Sequence, residues 1–132
     1  MKTKERVKHK SGGIGGVAAV RIFVSDIVRS AEFYESVFDV EPEVVVPHAY
    51  AVFPLANTLL VVEEVARDDA EFDEHVGCSI PVSFGTSDIR KTCETLRAKG
   101  VRFHGPPEKQ SWGGTLAFFY DHDENVLTLV QE

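Results

Sequence analysis

The tripeptide Ser-Asp-Ile occurs twice in this chain, at Ser25-Asp26-Ile27 and Ser87-Asp88-Ile89, and both copies stand in the same setting. Ahead of the first runs the alternation Val20, Ile22, Val24; ahead of the second runs Ile80, Val82, Phe84. Apolar residues two apart put one face of a strand against a core. Behind each copy the spacing becomes helical: Ile27, Ala31, Tyr34 in the first, then Ile89, Cys93, Leu96 in the second. A strand handing over to an amphipathic helix, repeated about sixty residues apart, marks a duplicated supersecondary unit. Two copies are too few for a solenoid, so they pair into one body.

The first module covers 17–64. A strand is expected from Val17 to Val24, and a helix from Asp26 to Phe38 with Ser25 or Asp26 as its cap. Extended runs follow at Glu43–Pro47, Ala49–Phe53 and Thr58–Glu64, rich in the β-branched and aliphatic residues that suit a pleated surface. The second module covers 79–132. It opens with a strand over Ser79–Phe84 and a helix over Asp88–Lys99, stopped by Gly100. Extended pieces come next at Val101–His104, Thr115–Tyr120 and Val126–Val130, with turns at Gly105-Pro106-Pro107 and Asp121–Asn125. Each half reads βαβββ, an α+β arrangement.

The stretch between the modules, 65–78, reads as an acidic connector. From Glu63 to Glu74 seven carboxylates stand against Arg67 alone, within a chain of net charge −7. Phosphates would be repelled, so nucleic acid is not expected as a partner. Residues 1–16, rich in Lys and Gly, read as a flexible tail that cannot offset the entropy of ordering. Gly13-Ile14-Gly15-Gly16-Val17-Ala18 formally fits a dinucleotide fingerprint, but it precedes a strand where the fingerprint requires a helix. No apolar run approaches the ~18 residues that span a bilayer, and Arg21 interrupts the one nearest the N-terminus. A cytoplasmic protein without membrane contact is the expectation. Cys93 falls on the buried face of the second helix and Cys78 just ahead of a strand, with no C-x-x-C spacing to suggest zinc or a redox pair.

Several stretches together carry a family resemblance. They are Val24-Ser25-Asp26-Ile27 leading to Glu32-Phe33-Tyr34, then Leu96-Arg97-Ala98-Lys99-Gly100-Val101, then Trp112-Gly113-Gly114, and Phe119-Tyr120-Asp121-His122-Asp123-Glu124-Asn125 running into Leu127 and Leu129. The chain resembles the vicinal oxygen chelate superfamily of glyoxalase I, extradiol dioxygenases, fosfomycin-resistance enzymes and bleomycin-resistance proteins. Asp121–Asn125 stands where the family usually has Asp-Pro-Asp-Gly-Asn, and the turn is expected to persist with Asn125 accepting the left-handed conformation. The resemblance implies two βαβββ modules curled into an open mixed-sheet cup, commonly completed by a second chain in a homodimer.

Metal-dependent relatives place one ligand on each of four strands. Carried over by the local motifs, the first position falls on Ala19, the third on Ser79 and the fourth on Thr128; the second falls on Val61 or its same-face neighbour Glu63. A methyl and two neutral hydroxyls are poor donors beside imidazole and carboxylate, so no metal and no other cofactor is expected. His48, His75, His104 and His122 fall in loops or at strand ends, with no pair spaced to share one element. His75 in the connector and His9 in the tail read as solvated side chains.

Strand alternation assigns the lining of the cup. In the first strand Ala19, Arg21 and Phe23 point inward; in the fifth, Ser79, Pro81 and Ser83; in the last, Val126, Thr128 and Val130. Phe23, Tyr50, Trp112 and Phe118 are candidate flat walls for an aromatic ligand, Trp112 above all because its loop gives it no evident packing role. Arg21 at an inward position must be paired or wet: either Glu63 partners it, or it meets a ligand through its planar fork. Ser79, Ser83 and Thr128 add hydroxyls. No Ser or Cys has a His at motif spacing, so a nucleophilic enzyme has no support. The leading expectation is a metal-free homodimer resembling bleomycin-resistance proteins that binds or sequesters a small organic molecule. The alternatives are a metal-dependent glyoxalase-like lyase or dioxygenase with a displaced ligand set, and a structural or regulatory dimer whose cup is filled by its own side chains.

Overall fold

Both Ser-Asp-Ile copies cap helices, and both do so through the aspartate. In the computed structural model, which describes residues 12–132, the Asp26 side chain accepts from the backbone N–H of Arg29 and the Asp88 side chain from that of Lys91. These bonds satisfy one of the amides that a helix N-terminus leaves without an intrahelical partner. The helices that follow are α1 (Ile27–Phe38) and, in the second module, α3 (Ile89–Ala98). Each buries the face its spacing dictates: Ile27, Ala31 and Tyr34 on α1, Ile89, Cys93 and Leu96 on α3. At Gly100 the backbone turns to φ 90°, which ends the second helix where a side chain would be strained.

The first module is β1 (Val20–Val24), α1, β2 (Val44–Val46), β3 (Tyr50–Pro54) and β4 (Leu59–Glu64). Its sheet runs β1-β4-β3-β2, with β1 and β4 parallel and the other pairs antiparallel. The second module is β5 (Ser79–Gly85), α3, β6 (Arg102–Phe103), β7 (Glu108–Lys109), β8 (Thr115–Tyr120) and β9 (Val126–Gln131). Its sheet runs β5-β9-β8-β6, with β7 also paired to β8. The chain is therefore an α+β fold of two mixed open sheets.

Three local features depart from the sequence reading. The first strand begins at Val20, not Val17. The two-residue β7 adds a short hairpin with β8 that has too few residues to show a period. The connector folds a one-turn helix, α2 (Phe72–His75), out of its acidic run. The expected tail over 1–16 falls largely on residues 1–11, as does His9, outside the described residues; 12–16 are exposed and belong to no helix or strand.

One hydrophobic cluster joins the modules. Val20, Ile22, Val24, Phe53, Leu60 and Val62 from the first sheet meet Ile80, Phe119, Leu127 and Leu129 from the second within it. The opposite face of each sheet is left open. On the first, the register sets Arg21 beside Val61, and Phe23 beside Glu63, which faces Tyr50 on its other side. On the second, Ser83, Thr128 and Phe118 lie in one row across three strands. Between Ser79 and Ser83 the pairing of β5 with β9 shifts register, and Pro81, which has no N–H to donate, sits within that irregular edge segment.

The turn between β8 and β9 holds the modules in place. Asn125 is fully buried. Its Oδ1 accepts from the amides of Gly77 and Cys78 at 2.8 and 3.0 Å, and its Nδ2 donates to the Phe23 carbonyl at 2.9 Å and to Asp121 Oδ2 at 2.8 Å. Asp121 Oδ1 accepts from the amides of Asp123 and Asn125, closing the turn on its own side chain. Asp123 in turn accepts from both the amide and the hydroxyl of Ser25. The left-handed residue of the turn is Glu124, at φ 65°, not Asn125 as the sequence reading has it. The side chain of Asn125 is needed elsewhere, and the position before it takes the strain.

Candidate functional site

A groove of about 400 Å³ runs between the edge strands β1 and β5 and reaches the end of the connector. Its walls include Ala19, Arg21 and Phe23 from the first module, Pro81 and Val82 from the second, and Glu74, His75 and Cys78 from the connector. β1 places Arg21 and Phe23 here because alternation sends Val20, Ile22 and Val24 into the core. The His75 and Phe23 rings lie 5.0 Å apart, tilted by 40°, within the range of favourable aromatic contact. His75 Nε2 also lies 3.4 Å from Glu71 Oε2, one turn back.

Arg21 and Glu63 form an ion pair. Nε donates to Oε2 at 2.6 Å and the terminal amino group donates to Oε1 at 3.1 Å. The guanidinium, its pKa raised by this hydrogen-bonded neighbour, also stands 5.2 Å from the centre of the Phe23 ring. Of the two readings left open for Arg21, the paired one describes the structure. Both Val61 and Glu63 sit on the open face, so the register around them is fixed.

The remaining residues singled out in the sequence divide. Tyr50 is adjacent to Glu63 across β3 and β4 and is 40% exposed. Ser79, at the start of β5, follows Cys78 at the groove, with Val126 as its strand partner. Ser83, Thr128 and Phe118 form their own row on the second sheet and are absent from the groove's walls. Trp112 lies in the turn between β7 and β8, also away from the groove, 61% exposed. Its ring covers Gly114 so closely that a Cβ there would meet it at 2.0 Å, which gives the ring a packing role the sequence did not suggest. Glu74, His75 and Cys78 are the polar groove residues the sequence reading passed over. None belongs to a periodic segment; only the folding of the connector brings them to β1.

At the positions that the resemblance gives to metal ligands, Ala19 offers no donor, Ser79 and Thr128 offer neutral hydroxyls, and of the two alternatives for the second position Val61 offers no donor and the Glu63 carboxylate is engaged by Arg21. His48, His104 and His122 are dispersed, beside Glu64, Tyr120 and Phe33 respectively. Among the described residues no group of three or more His, Cys, Asp or Glu side chains is placed to hold a metal ion.

The sequence matches the model of the Glyoxalase/Bleomycin resistance protein/Dioxygenase superfamily over residues 16–129, and the chain belongs to that superfamily. Among solved structures it is similar to a superfamily member from Sphaerobacter thermophilus, with 27% identity over 90% of this chain and 98% of that one, TM-score 0.73. It shares the fold of a lactoylglutathione lyase from Agrobacterium tumefaciens (15% identity, 89% and 94% covered, TM-score 0.71). The fosfomycin resistance protein FosX from Listeria monocytogenes is a comparable neighbour (17% identity, 90% and 92% covered, TM-score 0.69). No curated protein matches the sequence. No helix among the described residues is long and apolar enough to cross a membrane.

Proposed function

We propose that this chain binds and sequesters a small organic molecule in the groove between β1 and β5, without a catalytic metal, as a homodimer. The observation that carries this reading is the contrast within one fold. A concave site with an aromatic wall, Phe23 against His75, is retained, while the family's ligand positions lack a donor set. Small-molecule sites are of this kind: mainly apolar clefts with a few polar groups to orient the occupant. Here the polar groups are the Arg21–Glu63 pair, the His75 ring and the Cys78 thiol.

Elemental analysis of protein purified without a histidine tag, combined with a thermal-shift screen of aromatic compounds, tests the reading. The expected result is no stoichiometric transition metal, together with selective aromatics that raise the melting temperature by binding the folded form alone. Stoichiometric Ni, Zn, Mn or Fe that is lost in Glu63→Ala would overturn it in favour of a metal-dependent enzyme. A screen without a single stabilising compound would point instead to a structural or regulatory dimer.

A further inference from the structure

The charge around the groove narrows what it can hold, an inference that rests on the small-molecule reading above. Among the described residues Arg21 is the sole Arg or Lys in the groove's walls, and its charge is balanced by Glu63 at 2.6 Å. What remains is Glu74 in the wall and Glu71 beside His75. Among the described residues the groove is thus net negative whether or not His75 carries a proton. The rest of the connector, Asp68, Asp69 and Asp73 against Arg67 alone, carries the same net sign. An anion entering here meets like charge near walls of low dielectric, where repulsion is screened less than in bulk water. A cation meets the opposite sign and is attracted.

We propose that the groove selects planar aromatic molecules that are uncharged or cationic and turns away anionic ones, with Phe23 and His75 as stacking walls and Glu74 as the charge filter. The discrimination is electrostatic, so it weakens as salt shortens the screening length. Glu74 suits the role because its side chain is exposed on the one-turn α2; its backbone carbonyl, which accepts from the Cys78 thiol, is unaffected by changing the side chain.

The test is calorimetry at low ionic strength with three probes sharing one naphthalene ring: 2-naphthalenemethanol, 2-naphthylmethylammonium and 2-naphthoate. The neutral and cationic probes are expected to bind, and naphthoate at least tenfold more weakly than the cation. Glu74→Lys should shift the ratio of anion to cation affinity at least tenfold toward the anion. Naphthoate binding as tightly as the cation, or a ratio unmoved by Glu74→Lys, overturns the charge filter and leaves the small-molecule reading standing. If no probe binds, or if NMR cross-peaks place the bound ring away from His75 and Phe23, the groove reading fails and this inference with it. The NMR arm uses the unmodified chain, so it holds even where Phe23→Ala would disturb folding.

Discussion

The hydroxyl of Tyr34 donates to Asp121 Oδ2 at 2.7 Å, joining the middle of α1 to the turn between β8 and β9 across 87 residues of sequence. Tyr34 is fully buried and Asp121 nearly so. Burial, followed by the charge and hydrogen bond of Asp121, holds the phenol pKa well above its ordinary value of 10.

Replacing Tyr34 with Phe should cost about 1.5–3 kcal/mol, the range for a hydrogen bond to a charged group. Urea denaturation at neutral pH measures it. The raised pKa also sets a pH dependence. The stabilisation is fully present below pH 10 and is lost as pH rises from the unfolded value through the folded one, because the unfolded chain releases the phenolic proton first. Wild type should therefore lose stability above about pH 10 more steeply than Tyr34→Phe; parallel curves would count against the link.

Asn125→Ala should destabilise more than any surface change, by about 3 kcal/mol or beyond, since it strands two amides, a carbonyl and one carboxylate oxygen's partner at a buried site. Asn125→Asp tests the same hub differently. It removes both N–H donors and sets a carboxylate next to Asp121, so it should be at least as damaging. A loss under about 1 kcal/mol for both would mean that water replaces the side chain with little penalty.

Glu124→Gly should raise stability by about 0.5–1 kcal/mol by relieving the left-handed backbone. Against it stands the Arg102–Glu124 pair at 2.9 Å, exposed at both ends and thus of small value. A fall in melting temperature would show that the ion pair outweighs the strain.

The two thiols should react differently with a disulfide reagent in the native state. Cys93 is 3% exposed and burial pushes its pKa up, so it should stay inert until the chain unfolds. Cys78, half-buried at the groove, should react first and should be protected by any ligand that fills the groove. Two equally fast thiols, or no protection by a stabilising ligand, would contradict the placement.

A dimer at micromolar concentration is expected by light scattering. Among the described residues β2 leaves an unpaired edge carrying Val44 and Val45, each about two-fifths exposed, and unprotected apolar edges are what a second copy covers. A monomer would rule this out.

Much of the fold was legible because its signal is local. The change from period two to helical spacing around each Ser-Asp-Ile identified β1, α1, β5 and α3 and the buried face of each, and it left the cap of α1 open between Ser25 and Asp26. The same alternation put Arg21 and Phe23 on the open face. It could not show that the last residues of β4 and β9 also serve the helices. Glu64 and Gln131 accept from the amides of Ile27 and Ile89, at 3.0 and 2.8 Å, in matching positions of the two modules. Nor could it show Trp112 folded on Gly114, or α2 bringing His75 to Phe23, since neither segment is long enough to have a period.

The sequence by itself thus determined a duplicated βαβββ chain, its apolar faces and its family, because repeat, period and cap act between residues a few positions apart. Tertiary structure alone decided that Asn125 is a hub, that Glu63 answers Arg21, and that the acidic connector forms a wall of the groove. Those outcomes depend on pairings separated by 42 to 102 residues. Such pairings are fixed by strand register within a module, as for Arg21 and Glu63, and by the packing of one module on the other, neither of which a local pattern encodes.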